Sequence, residues 1–403
     1  MSGRPPLPPG PYLVVGLARS GAAAARMLAA HGEVIGVDSG RPEVDLPGAE
    51  LHLGETGLEL LDRAVTVVKS PGVAREAPVV AAAIERGMEV TGELELAWRL
   101  LSNRFVAVTG TNGKTTTVEL LGEMFRAADL PVAVAGNVGT PLASLVGRLE
   151  EDATVVCEAS SFQLEDSSAF APECAVLLNL EPDHLDRHGD FERYREAKLR
   201  IFANQAETGT AVMPEDLDRD PFSLGDVRLR GDHNRQNARA AALAAAAMGV
   251  PDEAIRRALA SFSGVPHRME EVAEVDGVLY VNDSKATNVA SATRGIEAFE
   301  GGVHVILGGS LKGGGFTGLR EAVAARCEGA YLIGEAAQEL ESDLQGTVDL
   351  HRSGILDTAV AAASTAAAPG EVVLLSPACA SWDAFRDYEH RGERFRELVR
   401  AGG

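Results

Sequence analysis

The sequence predicts an α/β protein of three successive parallel-sheet domains, and three observations predict it. Apolar runs of strand length alternate with alanine-rich helical stretches from one end of the chain to the other. Two turn clusters, Leu101-Ser-Asn-Arg104 and Ser263-Gly-Val-Pro266, interrupt that alternation and divide the 403 residues into segments 1–102, 103–264 and 265–403. Glycine turns and polar loops follow the strands, and open parallel sheets gather ligands beyond the carboxyl ends of their strands.

In the first segment, Tyr12–Val15, Val34–Val37 and Val65–Val68 read as strands, with a further one toward Val90. The turn Val15-Gly-Leu-Ala-Arg-Ser-Gly21 follows a strand and opens a helix, and Asp38 ends the next strand, so the segment imitates a dinucleotide fingerprint. Ala18 replaces its middle glycine, and a Cβ there hinders close approach of a pyrophosphate. That disfavours a nicotinamide dinucleotide and leaves another nucleotide or sugar phosphate.

The second segment carries strand-like runs at Phe105–Thr109, Val132–Ala135, Thr154–Cys157 and Cys174–Leu180. Its first strand breaks into Gly110-Thr-Asn-Gly-Lys-Thr-Thr116 before a helical stretch. Gly110 and Gly113 let the backbone turn its N–H groups inward around Thr111 and Asn112, and the following helix adds its positive end. Lys114 then reaches the terminal phosphates and Thr115 sets a hydroxyl on Mg²⁺. Val108 stands where the usual pattern has another glycine, but the coupled Gly-Lys-Thr behind a strand reads as ATP or GTP binding. Glu158 and His184 each follow a later strand of the same sheet, and a carboxylate, a hydroxyl and an imidazole near phosphates suit octahedral Mg²⁺. Lys198 lies in Phe191-Glu-Arg-Tyr-Arg-Glu-Ala-Lys-Leu-Arg200, which by itself reads as a solvated, mixed-charge helix face.

In the third segment, Val278–Val281, Val303–Leu307, Ala330–Ile333 and Val372–Leu375 read as strands. The loops after them include Asn282-Asp-Ser-Lys-Ala-Thr-Asn288, Gly308-Gly-Ser-Leu-Lys312 and Ser376-Pro-Ala-Cys-Ala-Ser-Trp-Asp383, and Pro266-His-Arg268 precedes them. Together they describe one cleft wall with Arg and Lys donors for carboxylates or phosphates.

The 45% apolar composition supports substantial cores. The balance of 59 acidic against 37 basic residues, a net charge of -22, argues against nucleic acid and anionic membrane partners. Cys157, Cys174, Cys327 and Cys379 form no paired motif, so reduced thiols in a cytoplasmic protein are expected. No apolar stretch reads as a signal peptide or a membrane span.

A series of stretches in order resembles the Mur ligase family along almost the whole chain. They are Ser70-Pro-Gly72, Thr109-Gly-Thr-Asn-Gly-Lys-Thr115, Gly136-Asn-Val-Gly139, Glu158-Ala-Ser-Ser-Phe-Gln-Leu164, Asp183-His-Leu-Asp186, Ala197-Lys-Leu-Arg200, Pro266-His-Arg268, Asn282-Asp-Ser-Lys-Ala-Thr-Asn288 and Leu375-Ser-Pro-Ala-Cys-Ala-Ser381. The last two point to the glutamate-adding branch. The resemblance implies a Rossmann-like N-terminal domain for a UDP-precursor, a central P-loop-type mononucleotide-binding ATPase domain, and a Rossmann-like C-terminal domain that brings the amino acid. It implies ATP-dependent addition of D-glutamate to UDP-N-acetylmuramoyl-L-alanine in peptidoglycan precursor synthesis, with Mg²⁺, in a cytoplasmic monomer.

By the same resemblance Arg19, Ser20, Asp38, Ser39 and Gly72 line the uridine nucleotide, and Asn137 and His184 meet the precursor near its reacting carboxylate. Lys114 and Thr115 hold phosphates, while Asn234, Asn237, Arg268, Asp283 and Lys285 flank the nucleotide and its transferred phosphate. Lys114, His184, Lys198 and Arg268 are the expected catalytic set. Thr115, Glu158, His184 and a carbamylated Lys198 are the expected metal set. Thr287, Lys312, Ser381, Trp382 and Tyr388 occupy glutamate-site positions. Two departures stand out: the chain is short between Ile201 and Arg235, and Trp382 and Tyr388 replace an expected leucine and phenylalanine. Rival readings are a ligase adding L-glutamate to the same precursor or to folate, a nucleotide-driven switch, and a dehydrogenase.

Overall fold

The computed structural model describes residues 3–218, 222, 232–262, 264–311 and 315–402. The chain forms two compact units, Met1–Phe262 and Ser263–Gly403.

The first unit holds two sheets. One contains β1 (Tyr12–Val15), β2 (Val34–Asp38), β3 (Ala49–Leu53), β4 (Thr66–Lys69) and β5 (Glu89–Gly92) in the order β3-β2-β1-β4-β5, every pair parallel. The other contains β6 (Phe105–Thr109), β7 (Val132–Gly136), β8 (Thr154–Glu158), β9 (Cys174–Leu177) and β10 (Thr210–Val212) in the order β10-β9-β6-β8-β7, again all parallel. The central β6 and β8 are buried at every position, as continuous apolar runs require in a sheet covered on both faces. β3 escapes a sequence reading because Ala49-Glu-Leu-His-Leu53 is a half-exposed edge strand without such a run. β9 stops at Leu177, short of the expected Leu180, because its partner β6 ends at Thr109 and the chain beyond turns toward the glycine loop.

The segment 101–104, expected as a domain boundary, is packed. Leu101 and Asn103 are buried, and Asn103 Nδ2 donates to the carbonyls of Glu150 and Ala153 at 2.8 and 2.9 Å. A single apolar core runs from Leu28 and Trp98 through Phe105 to Phe170, with Trp98 and Phe170 edge-on at 5.8 Å. Two polar clasps reinforce it. Glu95 accepts the backbone N–H groups of Ser168, Ala169 and Phe170, and Lys69 forms a fully buried ion pair with Asp166 at 2.7 Å.

The second unit is one sheet of β11 (Glu270–Val275), β12 (Val278–Asn282), β13 (Val303–Gly308), β14 (Cys327–Ile333), β15 (Asp349–Gly354) and β16 (Val372–Leu375), ordered β11-β12-β16-β13-β14-β15. Only β11 is antiparallel to its neighbour. Alternate residues serve opposite faces. Val303, Val305 and Leu307 pack with helices Val289–Glu297, Arg320–Arg326 and Ala337–Leu344, whereas Ile306, Tyr331 and Val373 pack with Leu356–Ala366 and Tyr388–Gly402. The edge strands β11 and β15 are rich in polar residues and were not expected from the sequence. Among the described residues no helix is long and apolar enough to cross a membrane.

Candidate nucleotide and ligation site

The sheet order of the first unit surrounds the glycine turn after β6 with motifs far apart in sequence. β6 lies between β9 and β8, so the turn Gly110–Gly113 emerges with the end of β8 on one side and Asn179 on the other. Asn179, which the sequence did not single out, accepts the Asn112 N–H on its side-chain oxygen at 2.8 Å and the Thr111 N–H on its carbonyl at 3.1 Å. Gly113 has φ +86, and a Cβ there would stand 2.1 Å from Asn237 Oδ1. Only glycine lets helix Asp232–Ala247 bring Asn234 and Asn237 against the turn, where Asn237 donates to Asn234 at 3.3 Å.

Glu158, the last residue of β8, is buried and joins two further expected residues. It accepts the Thr115 hydroxyl on Oε2 at 2.8 Å and the Asn137 amide on Oε1 at 3.0 Å. Asn137 arrives because Gly136 pairs with Glu158 in the β7–β8 ladder, and φ +122 at Gly136 turns the chain there. A capping box between Ser160 and Gln163 starts helix Ser161–Glu165 directly behind the carboxylate.

Lys114 and Lys198 converge on one carbonyl: their Nζ atoms donate to Gly110 O at 2.9 and 2.7 Å. The solvated face expected for Lys198 is overturned, since the residue is 2% exposed and its ammonium sits 4.7 Å over the Tyr194 ring. Burial, aided by the Lys114 charge, lowers its pKa to about 7, so a large neutral fraction exists near neutral pH. Tyr194 also pairs its hydroxyl with Thr111 Oγ1 at 2.9 Å and was not foreseen. His184 is exposed in a left-handed conformation, φ +52, at the start of helix Leu185–His188, with its ring 5.0 Å from that of Phe162. It therefore stands beside helix Ser161–Glu165, which follows Glu158.

Among the described residues no trio of His, Cys, Asp and Glu side chains is grouped to hold a metal alone. The expected Mg²⁺ set differs in kind, drawing on a hydroxyl and a modified lysine. The buried Glu158 carboxylate with the Thr115 hydroxyl beside the glycine turn fits an ion that takes few protein ligands.

At the start of the chain, Asp38 accepts the N–H groups of Leu17 at 2.7 Å and Gly40 at 2.8 Å, which fixes the turn that presents Arg19, Ser20 and Ser39. Ser70 Oγ donates to Gly16 O at 2.7 Å, drawing the Ser70–Gly72 loop to the same turn. Arg19 donates to Gly139 O at 2.6 Å.

In the second unit, Asp283 follows β12 and is buried, accepting Ser376 Oγ at 2.8 Å and the Met269 N–H at 3.3 Å. Burial raises its carboxyl to about 7 despite the Ser376 bond and the Arg268 charge. Lys285 Nζ lies 5.9 Å over the Tyr388 ring, and Thr287 N donates to Lys285 O at 2.8 Å. Ser381 is buried beside Trp382, which is 73% exposed. Lys312 lies outside the described residues. Arg391, another residue the sequence did not flag, is fully buried in helix Tyr388–Gly402. It donates to the carbonyls of Ser284, Cys379 and Ala380 and to Ser284 Oγ, tying the loops after β12 and β16 together. Within mixed-charge helices such as this one, no sequence signal separates a buried arginine from a solvated one.

Three family models match in order: the Mur ligase MurD-like N-terminal domain over residues 11–92, the Mur ligase middle domain over 108–225, and the Mur ligase glutamate ligase domain over 267–379. A UDP-N-acetylmuramoylalanine–D-glutamate ligase from Acidobacterium capsulatum is 41% identical over 441 aligned positions, covering 96% of each chain. A protein of the same name from Koribacter versatilis is 39% identical, again over 96% of each. The 441 aligned positions exceed the 403 residues here, so the Acidobacterium protein carries segments with no counterpart in this chain. Among solved structures, UDP-N-acetylmuramate-alanine ligase from Thermotoga maritima superposes with a TM-score of 0.57 at 17% identity, over 98% of this chain and all of that one. The MurF ligase of Thermotoga maritima, solved in complex with ADP, gives 0.54 at 20% identity over 97% and 95%. At these identities the structural likeness establishes the fold.

Proposed function

The chain belongs to the Mur ligase family, and on that premise we propose that it joins D-glutamate to UDP-N-acetylmuramoyl-L-alanine in peptidoglycan precursor synthesis, with ATP converted to ADP and phosphate. The observation that carries the reading is the near-full-length relationship to D-glutamate ligases at 41% identity. The geometry agrees, because the Thr115–Glu158–Asn137 cluster at a phosphate cradle suits activation of a carboxylate by a nucleotide.

Residues 1–102 would bind the UDP-precursor on a Rossmann-like sheet, 103–264 would form the ATPase domain, and 265–403 would bring the amino acid. The L-alanine carboxylate oxygen bonds to the γ-phosphorus as the bond to ADP breaks. The glutamate amine then bonds to the acyl carbon, phosphate leaves with its electron pair, and the nitrogen loses a proton. Lys114 and Arg268 offset the negative charge of a carboxylate approaching a triphosphate, so the site needs cations and no protein nucleophile. His184 orients the carboxylate together with Asn137. Thr115, Glu158, His184 and carbamylated Lys198 would hold Mg²⁺, which supplies charge neutralisation on the phosphates when bound. The lowered Lys198 pKa supports carbamylation, since the neutral amine is the form that adds CO₂. Thr287, Lys312, Ser381, Trp382 and Tyr388 would receive glutamate. Four buried cysteines suit the reducing cytoplasm.

The test is phosphate release by the full chain with ATP, Mg²⁺ and UDP-N-acetylmuramoyl-L-alanine, comparing D-glutamate, L-glutamate and no amino acid, with mass detection of product. Product with D-glutamate alone is expected. Product with L-glutamate alone would move the specificity question to Trp382 and Tyr388, and absence of product with either would reject the acceptor.

A further inference from the structure

The precursor of the proposed reaction is a long ligand, with a uridine nucleotide at one end and the reacting carboxylate at the other. Two protein segments must then stay at a fixed separation: the Ser70–Val73 loop at the uridine end and His184 at the carboxylate end. They lie more than a hundred positions apart in the chain, and one side chain connects them.

Arg187 stands three residues after His184, on the four-residue helix Leu185–His188 that His184 begins. Its guanidinium donates to Val73 O at 3.0 Å and Gly72 O at 3.3 Å. Its Cζ also lies 4.6 Å from the centroid of the Phe162 ring. That ring in turn stacks on His188 at 5.1 Å and touches His184 at 5.0 Å, while buried His188 bonds Ser161 Oγ at 3.0 Å. Val73 O accepts a second cation, Lys69 Nζ, at 3.0 Å, and Lys69 is held by Asp166 at the end of Phe162's own helix. The loop is therefore gripped through one carbonyl by two cations, Arg187 of the helix that His184 begins and Lys69, which is tied to Asp166. A helix of four residues has little hydrogen bonding of its own to fix its place, so its side-chain ties decide where His184 stands.

We infer that Arg187 is a positioning residue, resting on the function proposed above, that holds the uridine end and the carboxylate end of the precursor site at one separation. A residue with this role matters to a ligand that spans both ends and matters little to a ligand that occupies one.

The experiment compares wild type, Arg187→Ala and Arg187→Lys as full chains, measuring thermal stability, steady-state kinetics, and calorimetric affinity for UDP-N-acetylmuramoyl-L-alanine, for UDP alone and for ADP. In Arg187→Ala the precursor KM and its dissociation constant should rise about tenfold and kcat should fall, while UDP and ADP affinities stay within about twofold. Arg187→Lys, which keeps the charge but lacks the fork that reaches two carbonyls, should fall between. The inference is overturned if precursor affinity is unchanged, if UDP alone weakens as much as the precursor, or if all three ligands weaken together with a lowered Tm. Failure of the wild type to turn over the precursor would instead overturn the function on which it rests.

Discussion

Lys198 shows how far a residue's chemistry depends on what surrounds it. Its own helix reads as solvated, yet Gly110 O, 88 positions away, and the Tyr194 ring enclose the amine. If the carbamate forms, Lys198→Ala should cost about a hundredfold in activity, and added acetate or formate should restore part of it. An unrescued loss across a concentration series would remove the carbamate role. Glu93 offers a test independent of activity. It is buried with Oε1 accepting the Ala143 N–H at 2.6 Å and Oε2 lacking a partner among the described residues, and burial raises its carboxyl to about 7. The raised value means that the folded state prefers the neutral acid. The stabilisation is therefore complete below the unfolded pKa, about 4.3, and is lost as pH climbs through about 7. Glu93→Gln keeps the shape without the charge, so between pH 5 and pH 8 the wild-type Tm should decline relative to the variant. Parallel Tm profiles would refute this.

At the scale of elements, the glycine turn after β6 was legible because every part of it is local: an apolar strand, two glycines, Lys114 and a helix start. The need for glycine at 113 has a second cause that sequence cannot show, the approach of Asn237 from a helix more than a hundred residues later. Gly113→Ala should therefore cost about 1–3 kcal/mol in urea unfolding and weaken ADP binding, because both the left-handed φ and the Asn237 contact are compromised. A variant as stable as wild type with unchanged ADP affinity would show that helix Asp232–Ala247 can shift at no cost. Edge strands were the elements missed. β3, β11 and β15 face solvent on one side, so their residues alternate or mix and produce no continuous apolar run.

At the scale of the molecule, the two sheets of Met1–Phe262 share a core and a buried ion pair, so they should unfold together. Asp166→Ala would strand the Lys69 ammonium, 1% exposed, without its carboxylate and should destabilise that unit by about 3–5 kcal/mol. In calorimetry the transition of Met1–Phe262 should move down while that of Ser263–Gly403 stays in place. A shift under 1 kcal/mol would mean that the Val73 carbonyl, or water, supports the lysine and the pair is dispensable. By itself the sequence determined the α/β class, the central buried strands, the glycine turn after β6 and the family, since each is written in contiguous residues whose periodicity or turn chemistry acts locally. Only the tertiary structure decided that Lys69 and Arg391 are interior, that Lys198 leans on the glycine turn, and that Arg187 bridges two loops. A long charged side chain takes its environment from neighbours that sheet order brings together, and that order is not encoded in the residues beside it.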